Sequence, residues 1–308
     1  MRITRRGLQV ALGALWLFDG LLQLQPYMFS RGFVSGILAP VNQGQPAVVA
    51  APLHLMASLV SAHPALANSS FALTQILLGL GILTRRFNRV ALSASVLWAL
   101  SVWFFGEGLG GLATGATLLA GAPGAALLYA VIALLAWPSR EGSSRERPSW
   151  LALPAWCVLW LGGAVLQLIA GNNSASSLTM MMSSAQSGAP GLVARLDHHL
   201  ATWRLPTYIA AGVVALYVLI AFWALVPGWT RQLSLGLGVV LSLTGWVLFQ
   251  GLGDLTSGHA TDPNTGPLIV LLAVTVVGAY PRATVRGSLD GSALEGRTTK
   301  EVLAGTHS

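Results

Sequence analysis

Charged residues are scarce in this chain of 308 residues, at 9% of the total, whereas hydrophobic residues make up 54%. Soluble domains carry about 25% charged residues, so this chain has too few to cover a water-soluble globule of its length. A lipid bilayer accepts apolar surface and removes that difficulty. The mean hydropathy of +0.67 therefore predicts a membrane protein.

Cysteine is nearly absent as well, because Cys157 is the only one. A single cysteine excludes an intramolecular disulfide and a cysteine-based metal cluster. The net charge of +7 would suggest nucleic acid in a soluble protein. Here the basic residues stand in short clusters between apolar runs, so we attribute them to membrane topology and expect no nucleic-acid partner. The opening MRITRR precedes an apolar run without a small-residue cleavage site, which predicts a retained anchor.

Apolar runs long enough to approach a membrane span recur along the chain. Each is roughly 15–21 residues, near the ~20 that a helix needs to cross a bilayer. The shortest two are the weakest spans. The eight runs cover residues 8–25, 66–84, 90–105, 122–137, 151–170, 206–226, 233–250 and 267–280.

The basic residues orient these spans. If the N-terminus is cytoplasmic, all but three of the 17 lysines and arginines fall on the cytoplasmic side, and only Arg31, Arg195 and Arg204 fall outside. Positive charge concentrates on the cytoplasmic side of membrane proteins. The sequence therefore predicts a multi-pass protein of the bacterial plasma membrane with both termini cytoplasmic.

Two pairs of similar sequence segments indicate an internal duplication. WFFGEGLGGLATG at 103–115 parallels WVLFQGLGDLTSG at 246–258, and LWLFDGLLQL at 15–24 parallels LWLGGAVLQL at 159–168. An even number of spans in each copy gives parallel repeats. We predict an all-α fold of eight transmembrane helices in two parallel-repeat four-helix units. The units are 1–138 and 150–280, joined by a cytoplasmic linker at 139–149 and followed by a disordered cytoplasmic tail at 281–308.

Two long segments on the predicted outer side separate the first two spans of each unit. They cover residues 26–65 and 171–205, and their apolar spacing predicts short amphipathic helices at the membrane surface.

The first unit resembles the DoxX/DoxD-like four-helix membrane family. The resemblance rests on GLQVALGALWLFDGLLQLQP, on LLGLGILTRR before a short basic turn, and on WFFGEGLGG, and it is weaker over 151–280. It implies a four-helix bundle that in some relatives is the membrane subunit of quinone-linked sulfur oxidation. It also implies a membrane or extracytoplasmic redox partner. Haem A synthase has a similar tandem architecture, but its paired intrahelical histidines and its Glu-x-x-His motif are missing.

The candidate site residues lie on the predicted outer side. Glu107 and Asp19 are candidate catalytic or proton-carrying acids, because a carboxylate at the membrane is costly unless it is paired or functional. Their counterparts in the second copy are Gln250 and Gly163. The other reading for each acid is structural, as a cap or an interhelical hydrogen bond.

Imidazoles and amides at matching positions are the candidate cofactor ligands. His54 and His198 correspond between the copies, as do Gln23 and Gln167, and each pair could contact a quinone. His198, His199 and His259 are candidate metal ligands, for which copper is the metal considered. The alternative reading of the histidines is a polar side chain at the headgroup boundary.

Three functional hypotheses remain open at this point. The first is a redox-associated subunit with an outward-facing quinone site, the second is a transporter of a small solute or metal ion, and the third is a scaffold that docks a partner protein.

Overall fold

The computed structural model describes residues 3–138, 148–169, 172, 174–185, 189–201 and 208–280, and these are helical without a strand among them. This agrees with the predicted all-α class. Most of the predicted linker, the C-terminal tail and Arg204 lie outside the described residues.

Six α-helices make up the first half of the chain. They are α1 (Arg5–Leu22), the single turn α2 (Arg31–Phe33), α3 (Ala47–Ala62), α4 (Pro64–Leu83), α5 (Asn88–Phe105) and α6 (Ala125–Leu135). Six more follow in the second half: α7 (Ala152–Leu168), α8 (Ala175–Ala185), α9 (Gly191–Ala201), α10 (Ile209–Leu225), α11 (Trp229–Leu248) and α12 (Thr265–Ala279).

Each of the eight predicted apolar runs overlaps one of these helices along most of its length. The long segments 26–65 and 171–205 also contain helices, because α3 lies within the first and both α8 and α9 lie within the second. Their amphipathic placement at the membrane surface stays a prediction. Local signals explain where some helices begin. The Thr4 hydroxyl accepts a hydrogen bond from the Gly7 amide at 3.0 Å and caps α1. Asn264 does the same for α12 through the Thr265 amide at 2.7 Å.

Helices pack in the same order in both halves. In the first half α1 packs most extensively on α4 and α5 on α6, while in the second half α7 packs on α10 and α11 on α12. Glycine allows the close approach of α1 and α4, because a Cβ added at Gly79 would lie 2.7 Å from the Gly13 carbonyl oxygen. Contact between α6 and α12 joins the two halves.

The distribution of polarity is the reverse of that in a soluble bundle. Large apolar side chains are exposed on the outer faces of the helices, for example Leu66 at 68%, Val90 at 72% and Val158 at 70%. Amide side chains such as Gln9 and Asn68 are buried instead. A lateral surface of this kind suits lipid and leaves polar groups to face the bundle interior.

Three helices, α4, α5 and α11, are long and apolar enough to cross a membrane. Five others, α3, α6, α7, α10 and α12, are apolar but have 11 to 17 residues. The remaining long helix, α1, has 18 residues and carries Arg5, Arg6 and Asp19. Length and composition therefore suggest a membrane protein.

Candidate functional site

A cavity of about 150 Å³ lies in the first half of the molecule, at the end of the bundle where α1 and α5 finish and α4 and α6 begin. An apolar cavity of about this volume in another protein accommodates benzene, so the space suits a small organic molecule. Side chains from α1 to α6 enclose it, together with residues from three connecting segments.

Aromatic rings form much of the cavity wall. The rings of Phe33 and Phe71 have centroids 6.4 Å apart, and Phe71 lies 5.7 Å from Trp98. On the facing side Trp16 and Tyr129 are 4.5 Å apart. Rings at these distances attract each other and also present π faces that attract cations.

Three polar side chains enter this aromatic cavity from α1 and α4. Asp19 is 2% exposed, Gln23 lies one helical turn further along α1 at 4%, and Gln75 of α4 is 5% exposed. One side-chain oxygen of each has no hydrogen-bond partner among the described residues. The predicted pairing of Asp19 with Gln23 on one face of α1 therefore agrees with the structure.

Two hydrogen-bond donors meet these acceptors in the same cavity. The indole Nε1 of Trp98 and the hydroxyl of Tyr129 are both buried, and neither has a well-formed hydrogen bond within the described part of the chain. The Tyr129 hydroxyl faces the carboxyl group of Asp19, without the geometry of an aligned hydrogen bond.

Leaving a buried polar group unpaired costs about 1–3 kcal/mol, and native proteins contain few such groups. Six of the side chains that line this cavity, including that of Glu107, carry such an atom, which is an unusual concentration for one site.

Glu107 reaches the cavity from the turn that follows α5. One of its carboxylate oxygens, Oε1, accepts a hydrogen bond from the Ala126 amide at 3.0 Å, whereas the buried Oε2 has no partner in the described chain. A side chain at Gly124 would meet this carboxylate, so glycine leaves room for it. Burial, followed by the charge of Asp262, raises the pKa of Glu107 to about 8, although the backbone amides of Ala126 and Ala125 oppose the shift.

Asp262 comes from the second half of the chain. Its Oδ1 accepts a hydrogen bond from the Asn264 amide at 2.7 Å, and its Oδ2 accepts one from the Thr261 hydroxyl at 2.8 Å. Both Thr261 and Asp262 line the cavity. Burial raises the pKa of Asp262, and its two hydrogen bonds oppose this shift.

The loop that carries Asp262 is anchored on the first half of the chain. Gln25 donates a hydrogen bond from Nε2 to the Ala260 carbonyl at 3.1 Å, and the rings of Tyr27 and His259 lie 3.9 Å apart.

The cavity lining includes three carboxyl groups, those of Asp19, Glu107 and Asp262, while no lysine, arginine or histidine of the described chain is part of it.

The matching region of the second half is filled. Leu118 occupies the space beside Gly163, the counterpart of Asp19. Gln250, the counterpart of Glu107, donates to the Leu119 carbonyl at 3.0 Å and accepts from the Thr265 hydroxyl at 3.1 Å. The space that remains there is about 10 Å³.

The other predicted site residues lie away from the cavity. His54 is exposed on α3, and His198 and His199 are exposed on α9. Gln167 is buried and donates a hydrogen bond to the Asn172 carbonyl. Within the described ranges, no three His, Cys, Asp or Glu side chains form a group that could hold a metal ion. The roles predicted for these residues therefore stay predictions.

The structure adds Gln75, Trp98 and Tyr129, which sequence reasoning missed. Gln75 is an amide inside an apolar run, and this polar interruption was the available signal. Comparison with family models, curated proteins and solved structures gave no match for this chain. The DoxX/DoxD resemblance accordingly stays a prediction from the sequence.

Proposed function

We propose that this chain is a membrane transporter for a small organic cation, built from two four-helix units of DoxX-like type with eight spans in total. The predicted site acids Asp19 and Glu107, which sequence reasoning left open between redox and transport roles, bind the cation in this proposal.

Matching local structures support the duplicated architecture. Trp103 donates a hydrogen bond to the Pro123 carbonyl at 2.7 Å, and its counterpart Trp246 donates to the Pro263 carbonyl at 2.8 Å. The turns after these tryptophans also match, because Leu109 and Leu252 both adopt left-handed backbone conformations, with φ of 62° and 60°. Non-glycine residues rarely adopt this conformation, so its recurrence supports a common origin.

The chemistry of the cavity lining carries the proposal. Three carboxyl groups without a basic partner in the lining disfavour an anion and favour a positively charged ligand. The surrounding aromatic rings provide π faces that attract quaternary ammonium groups in other binding sites. Together they fit a small ammonium compound better than a metal ion, because the walls are mostly apolar.

Choline is a suitable probe, because its positive charge is independent of pH and its size suits the cavity. Its uncharged carbon isostere, 3,3-dimethylbutan-1-ol, is the matched control ligand. We expect saturable choline binding to the purified protein by calorimetry, much weaker binding of the isostere, and loss of choline uptake into proteoliposomes in Asp19→Asn. Absence of saturable binding of choline and tetramethylammonium would refute a cation site.

A quinone-binding redox subunit is the second candidate. The observation in its favour is the pair of unpartnered donors, Trp98 Nε1 and the Tyr129 hydroxyl, which could bind the carbonyl oxygens of a ring-sized head group. This candidate retains the predicted redox partner. Mass spectrometry and an absorption spectrum of the gently purified protein test it, since a quinone that co-purifies with the wild type and is lost in Trp98→Phe would favour this function over cation transport.

A further inference from the structure

We infer that a cation entering the cavity displaces a proton from Glu107. Asp262, which comes from the second unit, sets how tightly Glu107 holds that proton, so both units contribute to the site. This inference rests on the proposed function and specifies how the site works.

Each of two loops reaches from its own half of the chain into the other half, so residues of both halves line the site. The loop before α12 brings Thr261 and Asp262 into the cavity of the first unit. The loop before α6 crosses in the opposite direction and places Leu118 and Leu119 in the second unit. One loop supplies polar groups to an open cavity, whereas the other supplies leucines that fill its counterpart. The second unit therefore contributes a charge to the only one of the two cavities that is open among the described residues.

Glu107 is arranged to change its protonation state. Its Oε1 is held by the Ala126 amide, its Oε2 is buried without a partner in the described chain, and the residue lines the cavity. A proton on Oε2 removes the negative charge when the site is empty. A bound cation stabilises the carboxylate instead, so the proton leaves for the solution.

The step is balanced. The carboxylic acid of Glu107 loses one proton to water, the carboxylate remains, and one cation takes the place of that proton beside it.

Three other titratable side chains line the cavity together with Glu107. Asp19 comes from α1, Tyr129 from α6 and Asp262 from the loop before α12. The elements α3, α4 and α5 contribute Met56, Val60, Phe71, Gln75, Trp98, Ser101, Val102 and Phe105, none of which titrates in the ordinary pH range. His54 and His63 of the α3 region are exposed and are not part of the lining.

The main test counts protons in the intact wild-type protein. Choline binding is measured by calorimetry at pH 6, 7, 8 and 9 in buffers of different ionisation enthalpy. We expect release of nearly one proton for each choline at pH 6 and 7, with a dissociation constant that falls about tenfold per pH unit there. Both effects should fade above pH 8, where Glu107 is already ionised.

Variants then assign the proton to named residues. Glu107→Gln should bind choline about 10- to 100-fold more weakly at pH 9 and should lose the proton release. Asp262→Asn should shift the midpoint of the pH dependence to lower pH, because it removes a negative charge that raises the pKa of Glu107. Asp254→Asn is the matched control, since Asp254 is exposed and does not line the cavity.

The outcomes separate this inference from the function on which it rests. Saturable choline binding without proton release between pH 6 and 9 would overturn the exchange and leave cation binding intact. If the midpoint of the pH dependence of choline binding were unchanged in Asp262→Asn, with proton release retained, the role of the second unit would be overturned. Failure to bind any organic cation at all four pH values would overturn the proposed function itself.

Discussion

Replacing Glu107 with glutamine should make the stability of the protein much less dependent on pH. The pKa of this acid rises from its ordinary value of 4.5 to about 8 in the folded protein. A raised folded-state pKa means that the folded protein holds the proton more tightly than the unfolded chain does. The contribution of Glu107 to the stability of the wild type is therefore fully present below pH 4.5 and is lost as the pH rises toward 8.

The size of the effect follows from the size of the shift. A difference of one pKa unit corresponds to about 1.36 kcal/mol, so a shift of this size corresponds to about 5 kcal/mol at most between pH 4.5 and pH 9. Water that enters the cavity and hydrates the carboxylate reduces this figure. Glutamine at position 107 can still accept the Ala126 amide hydrogen bond through its side-chain oxygen, and it carries no charge at any pH.

Thermal unfolding of the detergent-solubilised wild type and of Glu107→Gln, followed between pH 5.5 and 9, checks this reasoning. The melting temperature of the wild type should fall steadily toward pH 9, whereas that of the variant should fall less and exceed the wild type at the alkaline end. A smaller fall remains in the variant because burial also raises the pKa of Asp262. Asp254→Asn should keep the fall of the wild type toward pH 9, because it leaves Glu107 unchanged, even though partial burial also raises the pKa of Asp254 itself. Parallel curves for the wild type and Glu107→Gln would refute the buried, protonated state of Glu107.

Five further variants, grouped in three tests, probe other parts of the structure by thermal unfolding. Leu118→Ala should lower stability by about 2–5 kcal/mol and open a cavity beside Gly163 in the second unit, and no gain in benzene binding there would contradict this filling role. Gly110→Ala should be severely destabilising, because φ is +60° and the new Cβ would overlap the Pro123 carbonyl, whereas Gly236→Ala, which faces open space on a helix, should be neutral or stabilising. Trp103→Phe and Trp246→Phe should each cost about 1 kcal/mol, and a large difference between them would argue against equivalent roles.

Sequence reasoning predicted the helices well because their signal is local. An apolar run of sufficient length forms a helix in any apolar surrounding, so each of the eight runs overlaps one along most of its length. It also selected Asp19, Gln23 and Glu107, which the structure brings together around one cavity. These three were recognisable because a polar side chain in or beside an apolar run is costly without a partner or a role.

The rest of the site depends on how distant segments cross, which no local pattern encodes. Asp262 lies far from the first unit in the sequence, whereas the fold places it in the lining of a cavity that the first half of the chain builds. Trp98 and Tyr129 lie inside apolar runs of the sequence, and only packing shows that both line the same cavity. His54 shows the converse, since a matching position in both copies does not bring it into the cavity.

In the proposed duplicated architecture, the differences between the two copies explain why only the first has a cavity of this size among the described residues. At the position of Glu107 the second copy has Gln250, whose amide forms two hydrogen bonds within 3.1 Å and needs no ligand. At the position of Asp19 it has Gly163, and the missing side chain gives Leu118 its space. Each substitution removes a buried acid from the second copy, and the crossing loop supplies an acid, Asp262, to the first. If the two halves acted independently, Asp262→Asn in the whole chain would bind choline with the same pH dependence as the wild type. Because the fold places Asp262 in the same cavity lining as Glu107, we expect instead that the midpoint of the variant lies at lower pH.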